Sequence, residues 1–181
     1  RQSNIFHALG WRLPNYAHIP LIHDSEGRKL SKRDNAVGVE EYKQMGILPE
    51  AMKSYLLRLG WSQGNDEIIS ANDAINIFSI KNIGKSPSRF DIKKLNNINS
   101  YFLNNSPKKE VLNLVINLLN DTYDKKIIDK NFDKLKLILD DLIERSNNVN
   151  DLYINSSFLF DEEITLNEDA KKIIENSNKT I

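Results

Sequence analysis

The densest concentration of chemistry in the 181-residue sequence is Gly27-Arg28-Lys29-Leu30-Ser31-Lys32-Arg33, which packs four cations and a hydroxyl into seven residues. It follows Ile19-Pro20-Leu21-Ile22, a brief apolar run that reads as a strand end, and Asp24-Ser25-Glu26-Gly27, which suits a type I turn. Polyphosphate binding needs mobile cations, backbone donors and little bulk. A loop leaving the carboxyl end of a parallel strand is where α/β sheets hold ligands. Taken alone, a short Lys/Arg cluster reads more readily as a basic surface turn.

Other signals are weaker. Gly84-Lys85-Ser86 echoes the end of a P-loop, but its first glycine would fall at Ser79 and no strand precedes it. Lys81, Lys85 and Arg89 recur at four-residue steps and suit RNA phosphate or a solvated turn equally. His7, His18 and His23 lack carboxylates at metal-ligand spacing. Trp11, Trp61 and Tyr55 have faces for base stacking, yet their apolar flanks assign them to core packing. Arg145 ends a helical stretch, where an arginine complements the dipole or reads exposed bases.

The elements that position these residues are mostly helical. Ile5, Phe6 and Leu9 mark a short helix ended by Gly10, and Val39 to Met45 another closed by Gly46. Pro49 opens a helix whose stripe is Met52, Tyr55, Leu56 and Leu59, ending at Gly60. Ser70 with Asp73, and Ser88 with Asp91, resemble capping boxes opening helices at 71–79 and 89–103. Ser106-Pro107 starts the next, with Val111, Val115, Leu118 and Leu119 inward. Phe132, Leu135, Leu139 and Leu142 mark another, and shorter helices are expected at 148–159 and 167–176. The strand at 19–22 is isolated: only Glu67-Ile68-Ile69 offers a partner, so the chain reads as starting inside a larger α/β domain.

Composition sets the class. Apolar residues at 40% and charged residues at 28% describe a globular chain. No eighteen-residue apolar run or charged-then-apolar leader is present, so no membrane span or secretory signal is expected and the default address is cytoplasmic. The absence of cysteine excludes disulfides, thiol catalysis and cysteine zinc sites. Residues 1–100 carry 14 Lys/Arg against 10 Asp/Glu, and the remaining 81 carry 11 against 15, so the first part can attract polyanions.

Lys29-Leu30-Ser31-Lys32-Arg33 resembles the K-M-S-K-S loop of class I aminoacyl-tRNA synthetases, in the K-[LIM]-S-K-R form of the glutamyl-tRNA synthetases. The flanks agree in order: Ala8-Leu9-Gly10-Trp11, His18-Ile19-Pro20-Leu21-Ile22-His23, Gly38-Val39-Glu40-Glu41-Tyr42, Leu48-Pro49-Glu50-Ala51, Leu57-Arg58-Leu59-Gly60-Trp61-Ser62 and Gly84-Lys85-Ser86-Pro87-Ser88-Arg89-Phe90-Asp91. The agreement runs over 1–103 and continues more faintly to the end. The sequence departs where the family writes S-K-R-H-G-A, having Asp34-Asn35-Ala36 after Arg33. Asn35 tolerates a left-handed backbone as glycine does, whereas Asp34 sets a negative charge beside a phosphate loop.

The resemblance implies a mainly α chain. It comprises the tail of a Rossmann α/β catalytic domain with the K-L-S-K-R loop at 1–36, a stem-contact helical region at 37–103, and an incomplete α-helical anticodon-binding cage at 104–181. It implies a glutamate–tRNA ligase that forms glutamyl-adenylate from glutamate and ATP with Mg2+, then glutamylates tRNA, as a cytoplasmic monomer with no metal site in this chain. Lys32 is then the catalytic residue. Lys29, Ser31, Lys32 and Arg33 bind ATP, and Arg58, Lys85, Arg89 and Arg145 contact tRNA. The family's H-I-G-H-type motif and glutamate pocket precede Arg1, so both ends read as cut and the chain alone is expected to be inactive. Rival readings are a non-catalytic tRNA-binding module, a glutaminyl-tRNA synthetase, the shorter paralogue that glutamylates a modified tRNA base, and a helical scaffold. Against the second stands the lack of a strand-and-turn pattern after 103, and against the third the presence of 104–181.

Overall fold

The structure, a computed structural model, describes residues 1–30, 38–62, 64, 66–161 and 171. It is mainly helical and divides into two compact units, one of Arg1–Glu41 with Pro49–Ile98 and one of Tyr42–Leu48 with Asn99–Ile181.

In the first unit α1 (Gln2–Ala8) precedes β1 (Ile22–His23). After α2 (Val39–Gln44), whose last turn belongs to the other unit, come α3 (Pro49–Gly60), α4 (Ala71–Ile77), a 3-10 turn (Ile80–Asn82) and β2 (Ser88–Arg89). Pro49 begins α3 because its missing N–H is no loss in a first turn. Met52, Tyr55 and Leu59 are buried with Ala51 and Ser54, each large apolar side chain contributing roughly 1.5–3 kcal/mol. Leu56, expected in the same stripe, is exposed instead, since the helix turns its Ala51–Tyr55 side inward. At α4 the Ser70 Oγ accepts the Asp73 N–H at 3.1 Å, the expected N-cap, while Asp73 Oδ2 takes the Ser70 hydroxyl proton at 2.6 Å instead of the Ser70 N–H that a full capping box would use.

Further expectations are corrected. β1 pairs in parallel with Ser88–Arg89, not with 67–69: the Ser88 N–H reaches Leu21 O at 2.9 Å and the Phe90 N–H reaches His23 O at 2.7 Å. Ser88 therefore lies in a strand and not at a cap. The cap is Asp91, whose Oδ1 accepts the Lys93 and Lys94 N–H groups at 2.9 and 3.2 Å, so α5 runs Ile92–Asn105 instead of beginning at 89. Pro87 favours the extended backbone just before it and cannot continue a helix. Trp11, expected in the core, is exposed and meets Phe6 edge-on at 5.6 Å, because α1 has no buried residue.

In the second unit α6 (Lys108–Asn120), α7 (Lys125–Glu144) and α8 (Val149–Ser156) pack together, with a 3-10 turn at Ser157–Leu159. Val111, Val115, Leu119, Leu135, Leu139, Leu142 and Leu152 are buried, as the periodicity of the first two helices requires. Leu118 and Phe132, expected inward, are half-buried, and the Lys136 ammonium lies 5.5 Å from the Phe132 ring centre. Apart from Lys171, the helix expected at 167–176 lies outside the described residues. Among the described residues no helix is long and apolar enough to cross a membrane.

Candidate functional site

The chain leaves β1 through a turn built by its own side chains. Asp24 carboxylate oxygens accept the Glu26 and Arg28 N–H groups and the Arg28 Nε–H, each at 2.9 Å. The Gly27 N–H closes on Asp24 O at 3.1 Å, and the Arg28 Nη1 pairs with Glu26 at 3.0 Å. Gly27 has φ +85°, a left-handed value that suits glycine. The Arg28 N–H bond holds the Asp24 carboxyl below its ordinary value. Desolvation opposes this, while the Arg28 guanidinium bond and charge add to it.

The turn sends the chain back along β1. The Asp24 N–H donates to Arg28 O at 2.8 Å, the Leu30 N–H to Ile22 O at 2.9 Å, and His23 bridges Lys29 in antiparallel register. On its other side His23 faces Arg89 across the parallel pair. Directly paired residues of neighbouring strands project to one face, so Lys29, His23 and Arg89 form a row there. The Arg89 Nη2 lies 4.0 Å from where a Cβ on Gly27 would sit. Beside this row is an open pocket of about 550 Å3, lined by Asp24, Ser25, Leu30, Arg89, Phe90, Asp91, Ile92 and Lys93. The arrangement offers an anion two exposed cations on a fixed backbone frame.

Tyr55 supports that frame from α3. Its hydroxyl accepts the Asp91 N–H at 2.5 Å and its ring meets Phe90 edge-on at 5.2 Å, which fixes the backbone after Arg89. Trp61 is buried as expected, with Nε1–H on Ser79 O at 2.8 Å.

Of the candidate residues, Ser31, Lys32 and Arg33 lie outside the described residues, as do Asp34 and Asn35. Lys29 and Arg89 are brought together. Lys85 is exposed in the bend before β2. Arg58, in the last turn of α3, is half-buried, and its Nη1 is buried with no hydrogen-bond partner. Arg145 is exposed just after α7, in the other unit, its carbonyl accepting Asn155 Nδ2–H at 3.5 Å. Among the described residues no group of three or more His, Asp or Glu is placed to hold a metal ion.

Sequence reasoning missed Asn99, which is fully buried in α5. Its Oδ1 accepts the Leu48 N–H at 2.7 Å, and its Nδ2 donates to Asn147 O at 2.7 Å and Gly46 O at 3.4 Å. A signal was available, since Asn99 sits four residues after Leu95 and four before Leu103, both fully buried.

Residues 1–97 match the family described as tRNA synthetases class I (E and Q), catalytic domain. Over its whole length the chain is 46% identical to glutamate–tRNA ligase 2 of Rickettsia akari, of which it spans 39%. It is 42% identical to glutamate–tRNA ligase 2 of Ehrlichia ruminantium, with 96% of the chain covering 37% of that protein. Two solved structures resemble 94% of the chain over 37% of their own length. A glutamate tRNA ligase of Elizabethkingia meningosepticum, in complex with its amino acid, has a TM-score of 0.69 at 27% identity. A glutamate-tRNA synthetase of Elizabethkingia anophelis has 0.70 at 28%.

Proposed function

The chain belongs to the class I tRNA synthetases of the E and Q type, and from that membership we propose that it is part of a glutamate–tRNA ligase. The observation that carries this reading is the 46% identity, along the full chain, with a protein of that name. The reaction has two steps. The glutamate carboxylate attacks the α-phosphorus of ATP, forming glutamyl-adenylate and releasing pyrophosphate; a hydroxyl of the tRNA terminal adenosine then takes the glutamyl group and releases AMP.

Within this reaction the chain supplies the K-L-S-K-R loop. Lys32 stabilises the charge that develops as pyrophosphate leaves, an effect of ~3–4 kcal/mol for one well-placed donor. Lys29, Ser31 and Arg33 hold the phosphates, and the hairpin from Asp24 to Leu30 anchors the loop's first residues. Arg58, Lys85, Arg89 and Arg145 contact tRNA. Mg2+ comes with ATP as part of the substrate, and the described residues contain no cluster fitted to hold it. The arrangement proposed is a Rossmann tail at 1–36, a stem-contact region at 37–103 and the start of an anticodon-binding cage at 104–181, in a cytoplasmic monomer.

The test is ATP–pyrophosphate exchange and tRNA charging by the full-length protein. Glutamate-dependent exchange and charging of glutamate tRNA are expected. Dependence on glutamine alone would make the protein a glutaminyl enzyme, and RNA binding without exchange would make it a binding module. The 181-residue chain by itself is expected to charge no tRNA.

A further inference from the structure

His23 stands between two cations in the backbone pairing of the first unit, with Lys29 across an antiparallel bridge and Arg89 across the parallel pair. The bonds from Leu30 N–H to Ile22 O and from Asp24 N–H to Arg28 O fall on either side of the His23–Lys29 pair. That makes it a non-hydrogen-bonded pair, whose Cα atoms approach to ~4.5 Å and whose side chains stand closest. Arg89 is one strand spacing away on the other side, ~4.8 Å. The three side chains therefore leave one face in a row.

Their polar ends have no role within the fold. Among the described residues none of the three makes a side-chain hydrogen bond or an ion pair. The acidic groups of the adjoining turn are engaged elsewhere: Asp24 accepts the Arg28 Nε–H at 2.9 Å and Glu26 meets the Arg28 Nη1 at 3.0 Å, so one arginine counters both. Gly27, having no side chain, leaves room for the Arg89 head, whose Nη2 lies 4.0 Å from the place a Cβ would occupy. Lys29 and Arg89 are exposed and His23 is half-buried, so two mobile cations flank a ring that the sheet holds in place.

We propose that His23 is a phosphate-binding residue, and that with Arg89, and Lys29 beside it, it holds one phosphate of the tRNA backbone. The imidazole donates a hydrogen bond to one phosphate oxygen, and the guanidinium gives charge-assisted bonds to another. The inference rests on the ligase reading above, which makes tRNA the polyanion. The open face favours a backbone phosphate over a small nucleotide. Small ligands are held in concave sites that cover most of their surface, whereas phosphates of a nucleic-acid strand are met by exposed Arg, Lys and polar side chains. Such a contact fixes the register of the RNA and reads no base.

The experiment measures the Kd of glutamate tRNA by filter binding and of ATP by equilibrium dialysis, with the full-length protein. The variants are His23→Ala, His23→Gln, Arg89→Gln and the double variant His23→Ala with Arg89→Gln; Lys53→Ala, on the exposed side of α3, is the control. Lys29 is left unchanged, since it also opens the loop assigned to ATP. Circular dichroism and thermal melting establish that each variant folds, and Gln at position 23 keeps a donor should the alanine disturb β1. His23→Ala and Arg89→Gln are each expected to weaken tRNA binding ~3–10-fold, the range for one hydrogen bond at a solvated site, with the ATP Kd within about twofold of wild type. His23→Gln and Lys53→Ala should bind tRNA within about twofold of wild type. The double variant should lose less than the product of the two single losses, because one phosphate meets both side chains.

Wild-type tRNA binding in His23→Ala, an equal loss in His23→Gln, or single losses that simply multiply would each overturn the shared phosphate. A weakened ATP Kd with tRNA binding unchanged gives the row to ATP and overturns it as well. A wild type that binds tRNA but charges no glutamate fails the ligase reading alone, and the variants still decide the phosphate contact. A wild type that binds no tRNA overturns both.

Discussion

Arg89 stands directly across from His23 in the parallel β1–β2 pair, and Lys29 is bridged to the same histidine on its other side. Two cations 60 positions apart in sequence thus reach one face by backbone pairing alone. Neither needs a side-chain partner to be placed there, which leaves both available to an anion.

The first prediction follows from that row. Phosphate contacts release counterions, so the chain should bind tRNA weakly, with affinity falling as salt rises. Arg89→Ala should reduce the slope of log K against log salt by about 1, and Lys53→Ala, on the exposed side of α3, should leave it unchanged. Filter binding across a salt series decides it. Equal effects from both would mean that only overall charge matters.

On the proposed role of Lys32, in which the loop cation acts as charge develops in the transition state, Lys32→Ala in the full-length enzyme should lower kcat by ~10²-fold or more with a modest change in ATP KM. Lys53→Ala serves again as the matched control. ATP–pyrophosphate exchange measures both constants, and similar losses in the two variants would refute a role specific to the loop.

The helices were legible because their signals are local: Pro49 at a first turn, Ser70 with Asp73 as a cap, and apolar residues at helical spacing through Val111 to Leu142. The strand at Ser88–Arg89 was not. Two residues cannot show a period, and its partner β1 lies 66 positions earlier, beyond any local pattern. The same limit hid the partners of Asn99 but not its burial: Gly46 and Asn147 come together only in the fold, whereas its place between Leu95 and Leu103 is a local signal. At the candidate site the cations were legible from composition and motif, whereas the pairing that aligns Lys29 with Arg89 is a tertiary fact.

Tyr123 gives a titration test of the second unit. Its hydroxyl donates to Asp161 Oδ1 at 2.5 Å, and desolvation, with the Asp161 bond and charge, raises it to about 12. A phenol whose folded value lies above its unfolded ~10 contributes stability that is complete below that pH and lost as pH rises through about 12. Ultraviolet titration of the folded chain should show a late-ionising component that is lost in Tyr123→Phe. A variant titration that keeps the whole late component would remove the Tyr123–Asp161 bond from the account.

Asp24 behaves with the opposite sign. Its folded value lies below the ordinary 3.8, so its charge stabilises the turn above the unfolded value and ceases to as pH falls through the folded one. The amide of the Asp24→Asn variant still accepts N–H groups but carries no charge. The melting-temperature gap between wild type and variant should be open at neutral pH and close below pH ~4, and a gap independent of pH would show that the charge is idle.

Arg145 carries the most specific prediction. It is exposed just beyond α7, after Glu144, where the negative end of the helix already favours a cation. If it reads an anticodon base, replacing it with Gln should change discrimination between glutamate and glutamine tRNAs, which differ in the third anticodon base. A lost or misdirected base contact shifts that discrimination by ~1–3 kcal/mol, about 5–150-fold, whereas a lost phosphate contact weakens all RNAs alike. The measurement is kcat/KM for both tRNAs with the full-length wild-type and Arg145→Gln enzymes. A changed ratio assigns Arg145 to base recognition. A common fall in both values assigns it to the phosphate backbone, and no change in either leaves it as the charge that complements the end of α7.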